Sequence, residues 1–477
     1  MKLPAEWFTG DAYADVTHRG EDASRMRANM VRFTPGARTA RYSHGLGQTL
    51  RVVEGIALVQ SRGGDIVEAH PIDVIHTPPG EEHWHGAAPD RFMVHPALWE
   101  TDDATWLEHV SDDDYNGRRV STRTRPRHHD RPDKSWEGTM RATIIHAPGD
   151  IRVENVPEPK ITAPTDAVIR TVAACVCGSD LWSYRGVLPV SGPQPIGHEY
   201  VGIVEEVGSD VSTVRPGQFV IGSFVASDNT CPICQSGYQT SCRHAQWVNG
   251  AQAEYVRIPL ADGTLVATPE PPADELIPSL LTLSDVMGTG WYAAKAAEVK
   301  LGSTAVVVGD GAVGLSGVIA AKELGAERII AMSRHESRQK LALEFGATDI
   351  VTERGEEGVA RVKELTKGIG ADSVLECVGT QESLHQALQS TRPGGNVGFV
   401  GFPHGSQIEG QELFFSHVGL RGGPAPVRAY LPDLIDRVFS GRIDPGKVFD
   451  LTLPLDEAAD GYKAMDERRA IKTLLRP

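Results

Sequence analysis

The sequence predicts a multidomain chain that is all-β at the front and α/β at the back, ending in a doubly wound parallel sheet. Three observations carry this. Short alternating apolar runs broken by Gly and Pro fill residues 1–116, as in Thr49–Val53 and Gly55–Gln60. A second start at Met140 opens another β-rich, Gly- and Pro-rich stretch that runs to residue 285. From about 286 onward, strand and helix patterns alternate, and parallel strands need such crossover helices.

At 477 residues the chain is too long for one core, so two to four domains are expected. The formal net charge of -16 favours solubility and argues against a nucleic-acid partner. No apolar run is long enough to span a bilayer, so no membrane partner is expected. The first residues, Met1 to Trp7, carry no apolar signal core, so a cytoplasmic location is expected.

The elements follow in order. Residues 1–116 form the first β-rich domain. Residues 117–139 read as a basic linker, since 117–134 hold seven basic residues against two acidic ones and almost no apolar ones. Residues 140–285 with 430–477 form the second β-rich domain, and 286–429 the α/β domain. Within the latter, Ala305–Val308 is a buried strand and a helix runs to about Leu324. Strand Arg328–Met332 comes next, then a helix over the Arg338–Phe345 region. Strands Asp349–Val351, Ser373–Glu376 and Asn396–Val400 complete the pattern.

The chemistry concentrates in a few motifs. Cys177-Gly-Ser179-Asp180 is followed by Gly197-His198-Glu199, which brings a thiol, an imidazole and carboxylates into one stretch. Such a set suits a zinc ion with an open coordination position. Three more of the six cysteines are spaced Cys231-x2-Cys234-x7-Cys242. In a chain without an export signal, that spacing reads as metal rather than disulfide. Cys175 and Cys377 sit in apolar strand patterns and read as small buried apolar residues.

Gly309-Asp310-Gly311-Ala312-Val313-Gly314 follows a strand and opens a helix, the context a dinucleotide fingerprint needs. Its glycines let the backbone approach a pyrophosphate at the helix N-terminus. At the end of the next strand an NAD enzyme places an acid for the ribose 2′-hydroxyl. Here Ser333-Arg334-His335 stands instead, and a cation suits a 2′-phosphate. NADP is therefore expected over NAD, with Ser333, Arg334 and Arg338 at its ribose end. A Lewis acid beside a hydride carrier implies redox chemistry at an alcohol or carbonyl.

Gly197-His198-Glu199-x2-Gly202-x5-Gly208-x2-Val211, with the order of the other motifs, resembles the zinc-containing medium-chain alcohol dehydrogenases over residues 140–477. The resemblance implies a GroES-like catalytic domain over 140–285 and 430–477, and a Rossmann domain over 286–429. It implies that Cys177 and His198 hold catalytic zinc with Asp285 as third ligand; on local grounds alone Asp285 also reads as a helix N-cap. Glu199 becomes a fourth, exchangeable ligand or an outer group, Asp180 orients the His198 ring, and Ser179 carries the proton. Trp182 stands where the family often continues the relay with a His.

The family's structural zinc loop has four cysteines; here Cys231, Cys234 and Cys242 match and Asp228 takes the first place. An occupied site and a partly filled lobe both remain open. A substrate pocket near Trp182, Trp291 and Tyr292 and a homo-oligomer, dimer or tetramer, complete the expectation.

In the first domain, Pro35-Gly36-x5-Tyr42-x-His44-x3-Gln48-x6-Gly55 and Pro79-Gly80-x2-His83-Trp84-His85 resemble the two motifs of a cupin, a small β-barrel. The wider text resembles small bacterial cupins, some of them manganese-dependent hydroxynitrile lyases. The resemblance implies a divalent metal such as manganese on His44, Gln48 and His83. Tyr42 replaces the leading His, which weakens such a site unless Tyr42 or His85 substitutes. His70, His76 and His95 read as ordinary barrel residues. The chain as a whole then reads as an NADP-linked zinc oxidoreductase of alcohols and aldehydes or ketones, fused to a cupin of accessory or binding role. The alternatives are a bifunctional protein with a lyase cupin, or a cupin that senses a ligand or dimerises.

Overall fold

The computed structural model describes residues 2–18, 25–70, 73–100, 104–117, 119–121, 138–403 and 405–477. The chain divides into two compact units, Met1–Lys134 and Ser135–Pro477. Most of the expected basic linker, residue 118 and residues 122–137, lies outside the described residues. Its ends correct the expectation: Arg119–Ser121 is a strand paired in parallel with Ile66–Ala69, and strand Thr139–Ala147 opens the second unit. Backbone pairing needs no apolar side chains, so composition alone read these ends as linker.

The first unit is built from two sheets. One runs Phe8–Thr9, Arg38–Thr39, His83–Ala87, Ala57–Ser61, Ile66–Ala69, Arg119–Ser121, with Tyr42–His44 and Ala104–Trp106 attached. The other runs Val74–Thr77, Gln48–Arg51, Met93–Glu100, Met26–Phe33, Ala12–His18, with Glu54–Gly55 attached. Period-2 alternation sets the core: on strand Met93–Glu100, Met93, His95 and Ala97 are buried and their neighbours less so. Phe8, Phe33, Val52 and Met93 lie in one buried apolar cluster.

The second unit holds the expected two layers of chemistry. A seven-stranded sheet runs Leu265–Ala267, Phe219–Gly222, Tyr200–Val207, Ala167–Cys175, Lys472–Arg476, Phe449–Pro454, with Tyr255–Ile258 on Ala167–Cys175. Its last two strands come from the C-terminal end, so the β-rich domain is closed by residues far along the chain. The six-stranded sheet is all parallel, ordered Asp349–Val351, Arg328–Met332, Thr304–Val308, Ala371–Glu376, Thr391–Phe399, Gly419–Gly422. Strand order reverses at Thr304–Val308, and ligands of such sheets bind at the carboxyl ends beside that switch. Helices Ala312–Glu323 and Glu336–Phe345 match the expected ones to within two residues.

Candidate active site

Cys177 follows strand Ala167–Cys175 and precedes helix Asp180–Tyr184. Asp180 fixes this turn. Its Oδ2 accepts the Cys177 N–H at 2.9 Å, and its Oδ1 lies 3.3 Å from His198 Nδ1. A carboxylate on one ring nitrogen sets the tautomer and turns the other nitrogen toward the cluster. Gly197 must be glycine: its φ is +96°, and a Cβ there would meet Gln252 Cγ at 2.4 Å. Gln252 in turn donates to the Cys175 carbonyl at 3.0 Å and accepts from the Tyr462 hydroxyl at 3.1 Å.

Asp285 immediately precedes helix Val286–Ala296, yet its side chain caps nothing. Thr289 Oγ1 donates to Asp285 Oδ1 at 2.6 Å. This leaves Oδ2 at 3.2 Å from His198 Nε2 and 3.7 Å from Cys177 Sγ. The local N-cap alternative is therefore not what the carboxylate does. Glu199 is fully buried, and Lys472 Nζ donates to its Oε1 at 2.7 Å. Glu199 Oε2 is buried with no hydrogen-bond partner. Neither Lys472, Gln252 nor Thr289 stands out in the sequence. Lys472 reaches the site because the C-terminal strand Lys472–Arg476 pairs with Ala167–Cys175.

Ligand atoms of Cys177, His198, Glu199 and Asp285 all lie within 4.8 Å of one another. Burial pushes the Cys177 thiol up, and the Glu199 and Asp285 carboxylates push it further. Burial also raises Glu199 against the pull of Lys472. Burial opposes the His198 charge, but Asp180 and Cys177 outweigh it and hold the ring well above its ordinary range. Burial and neighbouring carboxylates thus hold Cys177 and Glu199 toward their neutral forms, and Glu199 Oε2 has no hydrogen-bond partner. One thiolate, one imidazole and carboxylates around such a point fit a zinc ion.

Ser179 is exposed, with Oγ 3.5 Å from His198 Nε2. Phe224 lies edge-on to the His198 ring at 6.1 Å, and Trp247, 68% exposed, stacks on Phe224 at 5.8 Å. These two aromatics carry no motif and are found only through the fold. Trp291 and Tyr292, near which a pocket is expected, are themselves buried in packing. Arg437 lies over the Trp291 ring at 4.9 Å, and the Tyr292 hydroxyl donates to the Gly422 carbonyl at 3.3 Å. The helix that carries them, Val286–Ala296, is buried almost throughout. Trp182 is half-buried, 5.9 Å from the Arg185 guanidinium. Cys175 is buried and Cys377 partly so.

A second group of ligand atoms within 4.8 Å joins Asp228, Cys231, Cys234 and Cys242. Cys231 and Cys234 sulfurs are 3.5 Å apart, and the Asp228 and His244 N–H groups donate to Cys242 Sγ at 3.4 and 3.3 Å. The Arg243 amide, then that of Cys234, holds the Cys231 thiol down to about 7. Exposed His244 Nδ1 lies 2.7 Å from Asp228 Oδ2. Amides aimed at sulfur and three converging thiols fit a structural zinc ion.

The Gly-rich loop forms the turn the fingerprint requires. Gly309 has φ +116°, and a Cβ on Gly314 would meet the Gly309 carbonyl at 2.0 Å. Gly311 is the N-cap of helix Ala312–Glu323 with no side-chain cap, and nothing lies within 4 Å of a Cβ built there. Ala312 and Val313 open the helix, so free N–H groups face open space suited to a pyrophosphate. Ser333 is buried, Arg334 exposed, and Arg338 Nη1 lies 3.2 Å from Asp310 Oδ1.

In the first unit, Tyr42, His44, Gln48, His83 and His85 are buried together. Gln48 Nε2 lies 3.0 Å from His44 Nε2, and its Oε1 accepts from Tyr42 at 2.6 Å and sits 3.2 Å from His83 Nε2. The Tyr42 hydroxyl is also 3.0 Å from His85 Nδ1. His95 packs beside this cluster. It is 1% exposed, its ring centre is 4.8 Å from that of His85, and neither nitrogen is hydrogen-bonded. His76 pairs with Thr49 at 3.0 Å and His70 with Glu68 at 3.2 Å, as structural residues do. Burial pushes the Tyr42 phenol up, so it stays a neutral donor. The set holds imidazoles and an amide but no thiolate or carboxylate, and its donor atoms are hydrogen-bonded to one another.

The sequence matches the family described as Alcohol dehydrogenase GroES-like domain over residues 163–270, and Zinc-binding dehydrogenase over 312–439. It is 38% identical over 349 residues to the protein named Probable zinc-binding alcohol dehydrogenase of Mycobacterium tuberculosis, covering 71% of this chain and 89% of that one. It is 31% identical to the NADP-dependent isopropanol dehydrogenase of Clostridium beijerinckii, covering 61% of this chain and 86% of that one. The solved alcohol dehydrogenase TADH from Thermus sp. ATN1 superposes with a TM-score of 0.65 at 33% identity, covering 71% of this chain and 99% of that one. With the zinc-suited cluster and dinucleotide loop in place, the chain belongs to the zinc-type medium-chain alcohol dehydrogenase family.

Proposed function

We propose that residues 140–477 interconvert an alcohol with its aldehyde or ketone, using NADP(H) at the 286–429 sheet and zinc held by Cys177, His198 and Asp285. The observation that carries this is the convergence of those three side chains, with Glu199 Oε2 as an orphaned fourth donor. Zinc bound there supplies Lewis acidity toward a substrate oxygen, and the nicotinamide supplies or accepts hydride. The chain's own residues do the rest. Asp180 and Thr289 fix the faces that His198 and Asp285 present. Ser179 Oγ, exposed beside His198, is placed to hold and pass the proton of the reacting hydroxyl. Phe224 and Trp247 form an aromatic wall, which favours substrates with an apolar body.

A basic Ser333-Arg334 end in place of an acid supports NADP over NAD, as does the likeness to an NADP-dependent isopropanol dehydrogenase. A second zinc on Asp228, Cys231, Cys234 and Cys242 stabilises its lobe. For residues 1–116 we infer a cupin-type unit in an accessory, binding role, with Tyr42, His44, Gln48 and His83 as its buried polar centre. The test is steady-state turnover of primary and secondary alcohols and aldehydes with each cofactor. NADP-linked turnover of at least one class, at kcat/KM about tenfold or more above NAD, is expected. No turnover with either cofactor would reject the reading.

A further inference from the structure

One carboxylate in the dinucleotide loop has no part in the reading above. Asp310 is the second residue of the fingerprint, between Gly309 and Gly311. Its side chain is 11% exposed. Ser333 Oγ donates to its Oδ2 at 2.8 Å, and Arg338 Nη1 lies 3.2 Å from its Oδ1 and 3.5 Å from its carbonyl. Arg338 is itself only 12% exposed, so this cation is committed to the carboxylate rather than to solvent. Gln339 Nε2 donates to the Ser333 carbonyl at 2.9 Å and steadies that strand end. Burial pushes the Asp310 carboxyl up, but Ser333 and Arg338 outweigh it and keep it ionised.

The acid expected at the end of strand Arg328–Met332 is absent, but an acid has reached the same place from the neighbouring loop. The donors suited to a 2′-phosphate, Ser333 and Arg338, are those already engaged by Asp310. We propose that Asp310 is a cofactor-selectivity residue: it accepts the ribose 2′-hydroxyl of NAD and competes with a 2′-phosphate for Ser333 and Arg338. The proposal rests on the reading of this loop as a nicotinamide-dinucleotide site. Exposed Arg334 is then the cation left to the 2′-phosphate alone, while Arg338 is contested by the carboxylate. A carboxylate beside a phosphate is repulsive, whereas beside a hydroxyl it is a hydrogen-bond acceptor. The chain then uses NADP with a built-in restraint and retains NAD as a second cofactor.

Calorimetric binding of 2′,5′-ADP and of AMP to the full-length protein tests this without turnover. Asp310→Asn is expected to raise the affinity ratio of 2′,5′-ADP over AMP by about tenfold. Asp310→Ser should do the same with a shorter side chain. The kcat/KM ratio of NADP over NAD should move in parallel, through KM. A folding defect weakens both probes together and leaves the ratio unmoved, so the ratio is the readout. An unchanged ratio in variants that still bind AMP overturns the proposal. A lowered ratio also overturns it and makes Asp310 a positioning residue for Arg338. Wild-type protein that binds AMP more tightly, with the ratio still rising in the variants, would sink NADP preference but keep Asp310 as the selectivity residue. Wild-type protein that binds neither probe would sink both.

Discussion

Lys472 and Glu199 form a buried ion pair at 2.7 Å, with side chains 1% and 0% exposed. Taking both charges out of water is costly, and only a close, hydrogen-bonded geometry offsets it. Removing one partner strands the other. Lys472→Met is therefore expected to cost about 3–5 kcal/mol of stability. Chemical denaturation measures it, and Lys472→Met with Glu199→Gln should recover most of the loss. A single variant as stable as wild type would show that the pair does not hold the site. At this scale the sequence points to the candidate ligands but not to what holds them. Cys177 and His198 are legible because thiol and imidazole stand in motifs, whereas Asp285 is pointed to only by the family resemblance. Lys472 is not legible, since it lies 273 residues from Glu199 and carries no local signal. The place of His95 is likewise not legible: strand alternation buries it beside His85, and nothing nearby in sequence says so.

The cysteine lobe shows how an element can be nearly specified. The spacing of Cys231, Cys234 and Cys242 is readable, and the short helix Pro232–Gln235 brings the first two sulfurs together. Asp228 completes the group, but a carboxylate is a harder ligand than thiolate and is shared with His244. Asp228→Cys is expected to slow zinc loss during dialysis against a chelator by about tenfold or more. Elemental analysis at intervals reads this, and faster loss from the variant would contradict the assignment of Asp228 as a ligand. Strand Arg119–Ser121 is the converse case. Its composition is that of a linker, and only its pairing with Ile66–Ala69 makes it part of a sheet.

Across the whole molecule, the two β-rich stretches and the parallel α/β sheet were legible because alternation and helix crossover leave strong periodic signals. The return of residues 449–476 to the catalytic sheet was expected only through family likeness, since strand pairing at that distance leaves no local mark. Among the described residues, no helix is long and apolar enough to cross a membrane. The two units differ in their chemistry. Residues 140–477 bring together thiols, carboxylates and an imidazole at two points, whereas the first unit ties its imidazoles to Tyr42 and Gln48.

The central claim is that Cys177, His198 and Asp285 hold the zinc on which alcohol oxidation depends. Zinc content and NADP-linked turnover measured together on the same preparations of wild type and Asp285→Ala test it most directly. Wild-type chains should hold about two zinc ions and the variant about one, with turnover down about a thousandfold or more. Full turnover with unchanged zinc in Asp285→Ala would contradict it.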